Sequence, residues 1–181
     1  MIGRVGLMAP MVVVACSGSG GGGGLDFPVE MPEDRGVAHL TQEEVAAIEA
    51  GTQAPPDYSS VPATSGTHAP NWAPCGIYRQ QIPEMYVVHT LEHGAVVVYY
   101  RPAEVSGEAL AGLEDLARDF STHIVVMPYP EMASPVALVA WGHLAARPAL
   151  DLDEVRAFWA EYAQRGPESG IACPFEVDEA A

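Results

Sequence analysis

Residues 95–141 read AVVVYYRPAEVSGEALAGLEDLARDFSTHIVVMPYPEMASPVALVAW, and this stretch decides the fold. Its first six residues are apolar without alternation, which marks a buried strand, and Arg101-Pro102 closes it. Ser106 stands where a helix N-cap belongs. Leu110, Leu113, Leu116 and Phe120 then recur at helical spacing, so a helix runs to about residue 120 with one apolar stripe. Residues 123–127 (HIVVM) form a second strand ended by Pro128-Tyr129-Pro130, and residues 136–141 (VALVAW) form a third.

Working outward, Asp151 and Glu154 make a capping box whose helix reaches Arg165 and stops at Gly166-Pro167. Upstream, Thr41-Gln42-Glu43-Glu44 is a second capping box, opening a short helix to Ala50 that Gly51 ends. Pro83-Glu84 starts a helix over residues 83–92, with Gly94 placed to stop it. The β-branched Val87 and Val88 argue instead for a strand over residues 85–89, and the helix is preferred. Residues 51–76 are rich in Pro, Ser, Thr and Gly and carry no period, and so long an irregular segment is commonly functional. The order β-α-β-β-α predicts an α+β fold: a small mixed sheet of three to four strands, helices on one face, and a long irregular N-terminal half.

The chain has 181 residues, enough for one domain. Its 24 acidic residues outnumber eight basic ones, all arginine, for a formal charge of −16. That balance excludes nucleic acid as a partner and electrostatic attachment to an anionic membrane, while it concentrates cations. Arg4 precedes an apolar run over residues 5–14, too short to span a bilayer, which has the shape of a signal peptide. Val13-Val14-Ala15-Cys16 resembles the bacterial lipobox, in which small residues precede a cysteine that becomes a lipidated N-terminus. The expected organisation is therefore a leader over residues 1–15, a lipidated Cys16 with a Gly/Ser-rich tether to residue 35, one globular domain over residues 36–176, and an acidic tail over residues 177–181. The location this implies is extracytoplasmic, in the cell envelope, with the lipid anchor as the sole membrane contact and protein partners left undefined. Outside the cytoplasm, the two remaining cysteines, Cys75 and Cys173, pair most simply as a disulfide. The rival role for Cys75 is a thiolate metal ligand.

Chemistry concentrates in residues 62–100. His89-Thr90-Leu91-Glu92-His93 has the H-x-x-E-H form of inverted zinc peptidases, in which both imidazoles hold zinc and the glutamate is general base. That motif belongs on a long helix, whereas Gly94 ends this one and a strand follows, so an enzyme is the weaker expectation. A metal-binding site without catalysis fits better: His68, His89 and His93 supply nitrogen donors for copper or zinc. Met127 is a candidate sulfur donor, and Glu92 a candidate to orient a histidine from behind. The plainer alternative makes these histidines a hydrogen-bonded structural network in a non-catalytic interaction module, and His39, His123 and His143 taken singly fit such packing roles. No nucleophile elbow and no phosphate-cradling loop appears.

Several of these residues carry a resemblance. Thr64-Ser65-Gly66-Thr67-His68, the run from Trp72 to Tyr78 (WAPCGIY), and the run from Val88 to Val97 (VHTLEHGAVV) resemble the bacterial domain-of-unknown-function 3105 family, whose members are typically exported or membrane-anchored. Pro128-Tyr129-Pro130, Ala140-Trp141-Gly142 and Gly166-Pro167-Glu168 extend the likeness over residues 36–168. Thr67 stands where the family commonly has proline. The family has no established activity; the resemblance implies importance for His39, His68, His89, Glu92 and His93 and leaves their chemistry open.

Overall fold

The computed structural model describes residues 24–179. The leader and Cys16 lie outside the described residues, as do the last two residues of the acidic tail. Ten elements follow in order: α1 (Gln42–Glu49), β1 (Cys75–Ile77), α2 (Glu84–Glu92), β2 (Val96–Tyr100), α3 (Gly107–Phe120), β3 (Ile124–Pro128), β4 (Val136–Ala140), β5 (His143–Arg147), α4 (Leu152–Tyr162) and β6 (Phe175–Asp178). The strands form one mixed sheet in the order β5-β4-β2-β3-β1-β6. β2 pairs parallel with β3 and antiparallel with β4, with Val98 opposite Val126 on one side and Leu138 on the other.

The expected α+β class holds, with a sheet larger than the three to four strands anticipated. β1, β5 and β6 are the additions: β1 has three residues, and β5 and β6 lack a continuous apolar run. β6 also carries the sheet into Val177 and Asp178, past the boundary expected at residue 176. The helices do not share one face. Val96, Val98, Ile124, Val126 and Leu138 pack with Leu113, Leu116, Val155 and Phe158 of α3 and α4. Their alternating neighbours Val97, Tyr99, Val125, Met127 and Val139 pack with Val87 and Leu91 of α2. Burial on both faces is why β2, β3 and β4 read as unbroken apolar runs.

Local signals worked as the chemistry of helix ends requires. Thr41 and Glu44 close a reciprocal capping box on α1, and the Asp151 carboxylate accepts from the amides of Asp153 and Glu154 on α4. Ser106 occupies the N-cap of α3 without a side-chain hydrogen bond. Cys75 and Cys173 form a disulfide with Cα atoms 5.6 Å apart, closing a loop across a sequence separation of 98. In the chain-entropy account a loop of that length stabilises by about 4–5 kcal/mol. It also settles Cys75 as a structural half-cystine rather than a ligand.

Candidate metal centre

α2 is the element on which the site is built. Seven of its nine residues are buried, because the sheet covers one side and the irregular segment wraps the other. The segment is tied on by its backbone: Ala69 N–H donates to Met85 O, Ala73 N–H to Tyr86 O, and the Thr90 hydroxyl to Ala73 O. Further upstream, His39 and His68 form a parallel bridge, in which Leu40 N–H donates to His68 O and His68 N–H to Ala38 O. The period-free residues thus have a defined job. They carry His68, and with it the bridged His39, to the face of α2 that presents His89 and Glu92.

Two groups of side chains converge there. His39, His68, His89 and Glu92 each bring one ligand atom within 4.8 Å of the others, and so do His89, His93 and Glu168. His89 belongs to both. In the first group His68 Nε2 lies 3.2 Å from His39 Nε2 and 3.0 Å from Glu92 Oε2. In the second, His93 Nε2 lies 3.1 Å from His89 Nε2 and 3.2 Å from Glu168 Oε2. His68, His89, Glu92 and His93 are buried, whereas the side chains of His39 and Glu168 are 40% and 51% exposed. Trp72 covers the second group, its ring 4.7 Å from that of His93 and 5.5 Å from that of His89.

The second ring nitrogens define which atoms are free. His68 Nδ1 donates to Gly66 O at 2.7 Å, and His89 Nδ1 donates to Ala69 O at 2.8 Å. A carbonyl only accepts, so both rings carry a proton on Nδ1 and present a bare lone pair at Nε2 when neutral. Burial holds both imidazoles below the ordinary histidine range, His89 to about 4 despite the favourable bond to Ala69. Burial raises the Glu92 carboxyl, and the neighbouring Glu168 charge adds to that, against the pull of His39 and His93. At neutral pH His68 and His89 thus face the pocket as acceptors. His93 differs, because its buried Nδ1 meets no hydrogen-bond partner among the described residues.

The expected triad of His68, His89 and His93 is divided between the two groups, which meet at His89. Glu92 stands at ligand distance rather than behind a histidine, and His39 joins the ring set. Glu168 was not recognised as a site residue. Its signal was Gly166-Pro167-Glu168, and α4 delivers it: Gln164 N–H donates to Gly94 O at 2.7 Å and Glu168 N–H to Glu92 O at 3.0 Å. Met127 packs in the apolar layer between sheet and α2, so the donors assembled here are nitrogen and oxygen. α2 ends at Glu92 with His93 as its C-cap, so the H-x-x-E-H residues do not lie within one long helix. His123 bonds Thr122 and Ile171 O, and His143 donates to Trp141 O, as packing residues do.

The sequence profile of a family described as protein of unknown function (DUF3105) matches residues 50–174. The chain belongs to this domain-of-unknown-function 3105 family. The matched span contains His68, His89, Glu92, His93 and Glu168, and begins after His39. No curated protein and no solved structure matches the chain.

Proposed function

We propose that this chain is an extracytoplasmic, lipid-anchored domain that binds one zinc or copper ion through His39, His68, His89 and Glu92. The observation that carries the reading is the meeting of acceptors: the Nε2 lone pairs of His68 and His89 and the Glu92 carboxylate face one spot. A single shared proton relieves one such approach, and one cation relieves all of them. A metal bonded at about 2.0–2.1 Å sets tetrahedral ligand atoms about 3.4 Å apart, close to the distances around His68. Fixing His68 and His89 from behind by carbonyls is how proteins orient histidine ligands. The nitrogen and oxygen donors suit zinc or Cu(II). The lipobox-like Cys16 and the Cys75–Cys173 disulfide support a place outside the cytoplasm. Elemental analysis of protein purified without an affinity tag is expected to find about one zinc or copper per chain, and His68→Ala is expected to abolish it. Absence of metal, with no uptake after dialysis against either ion, overturns the reading.

A second reading rests on the His39–His68 backbone bridge. In it the histidines fasten the N-terminal segment to α2 in a cell-envelope interaction module. His89→Ala then lowers the melting temperature equally with and without metal, and metal leaves the wild type unchanged. A zinc hydrolase is a weaker third reading, since Glu92 sits at a ligand position rather than free to serve as base.

A further inference from the structure

Sharing His89 between two donor sets has a consequence for how an ion arrives. His89 Nδ1 is committed to Ala69 O, which leaves Nε2 as its one lone pair. One lone pair binds one metal, so the two sets cannot both be filled. They are two positions for the same ion, pivoting on His89.

The positions are built differently. His68 and Glu92 of the first are buried, and His68 is held from behind by Gly66 O. The second offers Glu168, half exposed and on a loop, and His93, whose buried Nδ1 has no hydrogen-bond partner among the described residues. A ligand histidine without a bond behind it is poorly oriented. We propose, resting on the metal reading above, that His93 and Glu168 with His89 form a loading position. There a hydrated divalent cation is first captured beside Trp72, then passes to His39, His68 and Glu92 without leaving His89. The exposed Glu168 carboxylate meets the hydrated ion, and each protein ligand replaces one of its waters. No bond other than those to the metal changes.

Stopped-flow tryptophan fluorescence with Cu(II) tests this, because copper quenches a nearby indole. Wild type is expected to show two phases, a first whose rate rises with copper concentration and a second that does not depend on it. Glu168→Gln, at a half-exposed position that folding tolerates, is expected to slow the first phase about tenfold or more. Glu108→Gln, an equal charge change on α3 across the sheet, is expected to leave it within about twofold. A single phase in wild type, or equal slowing by the two variants, overturns the loading position while bound copper still upholds the resident site. Two bound coppers per chain also overturn it. If no copper binds to any of the proteins this inference falls, and if zinc does not bind either the metal reading falls with it.

Discussion

At the scale of single residues, His89 belongs to both donor groups, and its protonation ties the site to stability. In the metal-free protein burial holds it at about 4, against about 6.5 in an unfolded chain. Above about pH 6.5 neither state takes up the proton and the full stability is present. As pH falls from about 6.5 to about 4, the unfolded chain binds the proton and the folded one does not, so stability is lost. His68, also lowered by burial, acts in the same direction. Glu92, raised by burial, acts oppositely, because the folded state keeps a proton that the unfolded chain releases above about pH 4.5. Two histidines against one carboxyl leave a net loss toward acid. Urea unfolding of the metal-free protein is expected to lose on the order of 3 kcal/mol across that window through His89. His89→Gln, which keeps a donor for Ala69 and cannot titrate, is expected to flatten the profile by that amount. Parallel profiles for wild type and variant would show that His89 is not held neutral.

At the scale of elements, the site depends on one close crossing. The loop after α4 rests on the C-terminal end of α2, and a Cβ on Gly166 would stand 2.1 Å from Glu92 O and 2.5 Å from Gly94 N. Gly94, at φ +87°, would bring a Cβ 2.7 Å from the Gln164 Cα. Backbone meets backbone here, so no side chain can move aside to make room. Gly166→Ala is expected to push the loop off α2, cost about 1–3 kcal/mol, and carry Glu168 away from His93. Thermal melts and Cu(II) quenching measured on the same preparation check both effects together. An unchanged melting temperature would mean that the crossing is looser than the backbone distances state. This dependence also marks what the sequence could reveal. Strands β2, β3 and β4 and the caps of α1 and α4 were readable because unbroken apolar runs and capping boxes are local signals. β1 and β6 were hidden because pairing rather than pattern makes them strands, with Cys75 opposite Phe175 and Gly76 opposite Val177. The clustering of histidines beside a buried strand pointed to the site. Their division into two sets, and the recruitment of Glu168, arise from tertiary packing that spacing along the chain does not encode.

At the scale of the whole molecule, charge and attachment work on different parts of the problem. A net charge of −16 disfavours contact with anionic lipid and concentrates divalent cations, so the proposed attachment needs another source. The segment from Ser17 to Asp34 holds SGSGGGGG and no periodic apolar pattern. The tether expected to run to residue 35 stops short of it, because Leu25, Phe27 and Val29 pack against the core and Glu30 exchanges backbone hydrogen bonds with Leu144. No apolar helix long enough to cross a membrane occurs among the described residues, and in the proposed reading acylation of Cys16 carries the anchoring. That proposal requires more than one acyl chain on Cys16, since a single chain attaches only weakly. Cys16→Ser is therefore expected to move the protein from the membrane fraction to the soluble fraction. Its metal content per chain is expected to stay unchanged, because no site residue lies on the tether. Fractionation by centrifugation, with mass spectrometry of the N-terminal peptide, reads attachment and acylation separately. Membrane retention of the serine variant would assign the anchor to a residue other than Cys16, while a soluble variant that had lost its metal would couple the tether to the site.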